Sequence, residues 1–447
     1  MEMALREGEK MRKRLVGRRW SRRDFLKAGG GAFVGAYALG MAGCGGGGGS
    51  GSGELTVLTW GSTSGEEKGF RDLAKRYNAQ NPEVPVRMEF VPPEQAYEQL
   101  DTRLAAGEAP DIARLQYQQM GRYASEGALV DLSEYLGEGY GDAFTPALWQ
   151  AVNYEGAPYG MPQHTDTFAV FYNTDIFQNV GIEVPRSMEE SWTWDEFLEI
   201  ATGIKEEGAA DYAFAYNWQT DTAAYRWMPL LFQHGGQLLT SDLGAPDIDS
   251  SAGVETVAFT KRWFDEDLVP PSTSIKSGEQ IETLFSNGTT AMMLNGDWLI
   301  PFVVDNMEAG WDVTYMIRDQ GMASDLGGNA LAVTRDSPNP EAAADFLKFA
   351  ANEENMSRFC IDGGFIPVRT SLAEQGLDYK QSPEQMNRFV EQATTVPEKM
   401  AQEQTVPAFG NIVQVLADQL ESAFKTGQSP EQTTRNIASG VQEALED

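Results

Sequence analysis

The stretch Glu54–Val91, "ELTVLTWGSTSGEEKGFRDLAKRYNAQNPEVPVRMEFV", decides the fold class. ELTVLTW is a short apolar run rich in β-branched residues, the signature of a buried strand. Downstream, Phe70, Leu73, Ala74 and Tyr77 recur at i, i+3, i+4 and i+7, which lays one apolar stripe along a helix that Asn81-Pro82 ends. VPVRMEFV supplies the next strand, QAYEQLDTRLAAG the next helix and PDIARL a third strand. This β-α-β-α-β rhythm predicts an open, mainly parallel α/β sheet. Ligands of such sheets bind beyond the carboxyl ends of the strands, here at the loops after Trp60 and Leu115.

The alternation resumes in the second half. Phe168 to Tyr172 is a strongly apolar strand, and in "TWDEFLEIATGIKEEG" Thr193 and Glu196 stand at capping-box spacing ahead of Phe197, Ala201 and Ile204 on one helical face. "GTTAMMLNGDWLI" reads as a strand broken by Asn295-Gly296. "GGNALAVTRDSPNPEAAADFLKFAANEEN" reads as a strand and then a helix started by Asn339 and Pro340. No fixed-period repeat is present. The chain has 447 residues, and the part beyond Gly53 exceeds what one hydrophobic core serves, so two lobes are expected.

The first 53 residues read as an address. Ser21-Arg22-Arg23-Asp24-Phe25-Leu26-Lys27 has the pattern of a twin-arginine (Tat) export signal, with Arg22 and Arg23 as its paired arginines. Ala28 to Met41 is too short and too rich in glycine to cross a bilayer, which takes about 20 apolar residues, so it reads as a signal core. Met41-Ala42-Gly43-Cys44 resembles a bacterial lipobox, in which the cysteine is lipidated and becomes the mature N-terminus. Residues 1–43 are thus expected to be removed, and residues 44–53 to form the lipidated Cys44 with a flexible Gly/Ser tether.

Composition excludes several partners. The whole chain carries a formal charge of −32, and basic residues are concentrated in the segment expected to be cleaved. Such an anionic surface repels nucleic acid and anionic headgroups, leaving the lipid on Cys44 as the membrane attachment. With Cys44 lipidated, Cys360 stands alone, and its neighbours Met356 and Phe359 point to burial on a helix face rather than reactivity. The two histidines, His164 and His234, show no metal-ligand spacing, so no metal or cofactor is expected. No P-loop is present; the "GGGGG" tract satisfies glycine-rich patterns but lacks a flanking strand and helix.

The ordered landmarks "RYNAQNPEVPV", "LAAGEAPDIARL", "RYASEGALVDL", "YGMPQHTDTFAVFYNTDIF", "TWDEF", "FSNGTTAMMLNGDW", "GGNALAV" and "GGFIPVRTSL" resemble the extracellular solute-binding proteins of ABC importers, in the lineage that binds maltose, trehalose and glycerol-phosphate compounds. The resemblance covers nearly all of the chain beyond the tether. It implies two α/β lobes in a Venus-flytrap fold with crossing hinge strands, lobe 1 comprising residues 54–165 with 311–371 and lobe 2 residues 166–310 with 372–447. The chain would cross near Asp166, Gly310 and Ser371. It further implies a monomer on the outer face of the cell membrane, without enzymatic activity, that delivers its ligand to permease subunits served by a separate ATPase.

A sugar offers a C–H face that packs on an aromatic ring and a rim of hydroxyls that both donate and accept hydrogen bonds. The resemblance places Trp298, in "LNGDW" beside Asn295, where the family stacks a sugar, and Asp166 where it carries an acid that binds hydroxyls. Gln116 and Gln118 stand where relatives place Asp or another polar group, and Phe409 resembles an aromatic at the cleft edge. Trp60 ends the first strand beside Glu66, although it fits a lobe core equally well. Asn217, Trp218, Tyr225 and Trp227 suit a strand end and helix start, with at least one aromatic in the core. Gly328 and Asn329 form either a close backbone approach to ligand or a tight turn. Arg369 reaches either a ligand group or a salt bridge between lobes.

Arg369 is the one strong cation among these positions, so a neutral mono- or oligosaccharide is expected ahead of a glycerol phosphodiester or another small polar solute. An exported glycoside hydrolase is the alternative of a different class, requiring two carboxyls about 5–10 Å apart across one bond.

Overall fold

The computed structural model describes residues 53–61, 64–219 and 222–446. Arg22, Arg23, Cys44 and the expected signal and tether up to Ser52 lie outside the described residues. Beyond them the chain is α/β, with two large sheets and a two-stranded ribbon of Asn153–Tyr154 and Ala157–Pro158.

The opening stretch folds as its pattern dictates: β1 (Leu55–Thr59), α1 (Ser64–Gln80) and β2 (Val86–Phe90). Phe70, Leu73, Ala74 and Tyr77 are all buried under the first sheet. Next come α2 (Ala96–Ala106), ended by Gly107 in the left-handed region at φ 69°, then β3 (Ile112–Gln116) and α3 (Tyr117–Ser125). β4 (Met161–His164) and β5 (Phe168–Asn173) follow as fully buried strands. In α4 (Trp194–Glu206) the capping box is complete: Thr193 Oγ1 accepts from Glu196 N, and Glu196 Oε2 accepts from Thr193 N at 2.7 Å. β6 (Tyr212–Tyr216), β7 (Thr290–Gly296), β8 (Trp311–Thr314) and β9 (Asn329–Val333) complete the strands that matter for the site.

The first sheet runs β2-β1-β3-β9-β4, the second β8-β5-β7-β6. The first is mixed where a mainly parallel sheet was expected: β1 pairs in parallel with β2 and β3, whereas β9 runs antiparallel to both β3 and β4. This reversal puts the start of β9 at the same sheet edge as the ends of β3 and β4, because Asn329 pairs with Gln116 and with His164. In the second sheet Phe168 pairs with Gly296, so the start of β5 and the end of β7 share an edge.

Three residues, Thr165 to Thr167, join the two edges. Beside them runs a second crossing segment: Gly327 N donates to Asp166 O, Thr167 Oγ1 donates to Asp325 O, and Ser324 Oγ bonds both the N and the O of Phe168. This crossing lies later than expected. β8 pairs with β5, and Arg318 and Gly321 remain bonded to Trp192 and Gln233, so the chain leaves the second sheet's half beyond Ala323 rather than near Gly310. The third crossing is also later than Ser371. Ser371, Tyr379 and Lys380 bond Glu353, Phe365 and Asp362 of the first half, whereas helix α5 (Pro383–Ala393) packs on the second sheet, where Arg388 binds Asp312. Apolar periodicity marks elements well but does not say to which sheet a strand is added.

The C-terminal segment touches both halves. Within α6 (Glu398–Gln404), Glu403 accepts from the N–H groups of Leu238 and Leu239, while Gln404 accepts from Gln118 in α3.

Candidate ligand-binding cleft

Two sheet edges that face each other across the crossing segments create a cavity of about 360 Å³. Trp60, at the end of β1, and Trp298, just past β7, both line it, one from each sheet. A larger surface hollow of about 960 Å³ lies along β8, but no lining residue comes from the first sheet, and two of its four acids, Asp312 and Glu196, are already held by Arg388 and by Thr193. The smaller cavity is where the strand ends converge.

Each indole is braced by a guanidinium, buried at Arg114 and partly exposed at Arg226. Arg114 lies over the Trp60 ring at 4.5 Å, donates to the Trp60 carbonyl at 2.9 Å and pairs with Glu66 at 2.5 Å; both charged side chains are almost fully buried. Arg226 lies over the Trp298 ring at 5.2 Å, with its Nε 3.7 Å from Asp325 and its Nη1 donating to Asn217. A guanidinium on one face of an indole holds the ring rigid by cation–π attraction.

Asp166 lines the cavity, and two fully buried acids, Asp297 and Asp325, stand behind its wall. The Oδ1 of Asp297 accepts from Thr167 N at 2.9 Å, which sets its carboxyl beside that of Asp166. Burial, followed by the neighbouring Glu66, pushes the Asp166 carboxyl up to about 7, while Arg114 opposes the shift. Asp297 is raised well above the ordinary carboxylate range by burial and by Asp166. Burial likewise lifts Asp325 to about 6 against the pull of Arg226. His164 is kept neutral, its pKa lowered by burial and then by Arg114; its ring rests on Phe365 at 4.2 Å, and its Nε2 is 3.4 Å from Asn329.

Of the residues singled out from sequence, Trp60, Glu66, Gln116, Gln118, Asp166, Tyr225, Trp298, Gly328 and Asn329 line this one cavity. Two of them are committed elsewhere. Glu66 is locked to Arg114, and Gln118 spends its amide hydrogens on Leu326 O and Gln404 Oε1. Asn217 and Asn295 stand one layer back, bonded to each other, and Asn217 reaches the cavity only through Arg226.

Four do not belong to it. Trp218 is buried in an aromatic stack with Trp263 (5.3 Å) and Phe424 (5.2 Å), its N–H on Thr273 O. Trp227 is fully buried and donates to Thr260. Phe409 is buried at the start of the helix Phe409–Thr426. Arg369 lies over Phe144 at 5.1 Å and donates to Ala351 O, so it neither faces the cavity nor bridges two halves. A tryptophan beside a strand end is placed by which face of the helix or strand it occupies, and spacing alone left that open.

Arg114, His164, Arg226, Asp297 and Asp325 were missed. One signal existed: an arginine inside the otherwise apolar strand IARL has to be paired when buried.

A family profile described as "Bacterial extracellular solute-binding protein" matches residues 60–357. A maltotriose-binding protein of Pyrococcus abyssi is 26% identical over 71% of this chain and 67% of its own length. A galactooligosaccharide-binding protein of Bacillus subtilis is 24% identical over 74% of this chain and 78% of its own. Among solved structures, a cyclic α-maltosyl-1,6-maltose binding protein from Arthrobacter globiformis superposes with a TM-score of 0.77 at 20% identity, covering 88% of this chain and 99% of that one. An ABC substrate-binding protein from Listeria monocytogenes, in complex with cycloalternan, does so at 0.73 and 24%, covering 88% and 99%.

Proposed function

The chain belongs to the bacterial extracellular solute-binding proteins, and from that membership we propose that its cleft captures a neutral mono- or oligosaccharide and releases it unaltered to the permease subunits of an ABC importer. The observation that carries this reading is the pair Trp60 and Trp298, one from each sheet, braced rigidly around a single cavity whose floor is rich in hydrogen-bonding groups. Flat apolar rings beside acceptor oxygens suit the two-faced chemistry of a sugar ring.

The charge argument for neutrality takes a different form from the one based on Arg369. Two guanidiniums do face the cavity, but Arg114 is matched by Glu66 and Arg226 lies against Asp325. Neither is left to clamp a phosphodiester, which favours uncompensated cations. Glycoside hydrolysis is disfavoured on geometry. Asp166 lines the cavity whereas its neighbour Asp297 is fully buried behind it, so the two do not flank a glycosidic bond, and Glu66 is immobilised by Arg114.

We further propose export through the twin arginines at Arg22 and Arg23, and anchoring by a lipid on Cys44. Cys44→Ser should then shift the protein from the membrane fraction to the medium, and retention in membranes would rule the anchor out. The ligand itself is tested by a thermal-shift panel of maltose, maltotriose, galacto-oligosaccharides, glycerol phosphodiesters and polyamines. Stabilisation by a saccharide, recovered intact by mass spectrometry, is expected. Stabilisation confined to phosphodiesters or polyamines would overturn the reading.

A further inference from the structure

Asp297 was not among the expected site residues, yet it lies fully buried behind the cavity wall, next to Asp166. Its Oδ2 and the Oδ1 of Asp166 are both buried and meet no N–H, hydroxyl or guanidinium donor. Two ionised carboxyls in contact cannot share a water-free site without a counter-charge. The cations nearby are already matched: Arg114 by Glu66, Arg226 by Asp325. His164, 3.7 Å from Asp166 Oδ2, is the remaining base and is held neutral. The other titratable groups that face the pair are Tyr117, Tyr225, Cys360 and Tyr379, each kept protonated by burial. A proton between the two carboxyls is the one counter-charge left among the described residues, and it would satisfy both orphaned oxygens together.

We propose that Asp297 is a positioning residue for ligand recognition: by sharing one proton with Asp166 it pins that side chain in the cavity wall, leaving the outer Asp166 oxygen to accept from a ligand hydroxyl. This rests on the reading of the cavity as the saccharide site. Asp297 is anchored by Thr167 N, whereas Asp166 keeps 15% exposure, so Asp166 is the partner that moves when the proton departs. Loss of the proton leaves two repelling carboxylates and an unfixed acceptor. Covering the pair with a neutral sugar removes further water and strengthens the hold on the proton, so binding above neutral pH takes up a proton.

Asp297→Asn replaces the shared proton by a permanent donor: the amide oxygen still accepts from Thr167 N and the NH₂ group donates to Asp166. A carboxyl raised in the native state binds more protons folded than unfolded, so wild-type stability declines as pH climbs from about 4 to about 7. Two measurements are read together: melting temperature from pH 5 to 8 without ligand, and calorimetric titration with maltotriose at pH 7.5 and 8.5, each in phosphate and in Tris. The wild type should lose melting temperature across that range relative to Asp297→Asn. It should also show net proton uptake, with affinity falling by up to roughly tenfold per pH unit, while the variant shows none.

Parallel melting profiles for the two proteins would overturn the shared proton. Equal proton uptake by both would overturn the role of Asp297 in recognition. Diverging profiles with no maltotriose binding would uphold the proton pair and count against the saccharide reading instead. If Asp297→Asn does not fold, Asp166→Asn removes the same pair and carries the same expectation for stability.

Discussion

At the scale of single residues, the cleft works through side chains that have lost their freedom before any ligand arrives. Trp298 packs on Arg226 and on the tilted ring of Phe168 at 5.9 Å, and Trp60 on Arg114 and, edge to face, on Tyr97 at 6.1 Å. A ring already fixed in place costs a ligand little ordering entropy, which is how preorganisation raises affinity. Trp298→Ala removes one such face, and saccharide affinity should fall by about 1–3 kcal/mol in calorimetry. Unchanged affinity would remove Trp298 from the site. The contrast with Trp218 shows what sequence conveys at this scale. Both tryptophans follow strands, yet one meets the cavity and the other stacks on Trp263 and Phe424. Residue type and proximity to a strand end nominate candidates; the burial of a ring is decided by partners remote in sequence.

At the scale of elements, the periodic helices and buried strands were readable because each needs only local information. Helix α1 and the capping box of α4 came through intact. The pairing of β9 was not readable, since its direction depends on two neighbours, β3 and β4, remote in sequence. That pairing is nonetheless what brings Asn329, Gln116 and His164 to one edge. Gly328 makes the turn into β9 possible: its φ is +92°, and a Cβ there would sit 2.4 Å from His164 O and 2.5 Å from Thr165 Cα. Both obstacles are backbone atoms, at the end of β4 and the start of the first crossing segment, and cannot rotate away. Gly328→Ala should therefore cost at least about 1–3 kcal/mol of stability by denaturant titration and weaken ligand binding as the crossing shifts. A fully stable, fully binding variant would show that the two crossings are not locked together there. The buried ion pair Arg114–Glu66 belongs to the same scale, tying β3 to α1 behind Trp60.

At the scale of the whole molecule, two halves meet through a few crossing residues and a C-terminal segment bonded to both. Such an arrangement permits rigid-body hinge motion, and a ligand can drive it only by making better contacts when the halves are closed. Trp60 and Trp298 come from opposite halves, so a sugar gripped by both gains contacts on closure. Small-angle scattering of the protein, with and without saturating saccharide, tests this most directly. A smaller radius of gyration with a saccharide that stabilises the fold is the predicted result. Superimposable curves, while that saccharide is demonstrably bound, would contradict closure of two halves around the ligand.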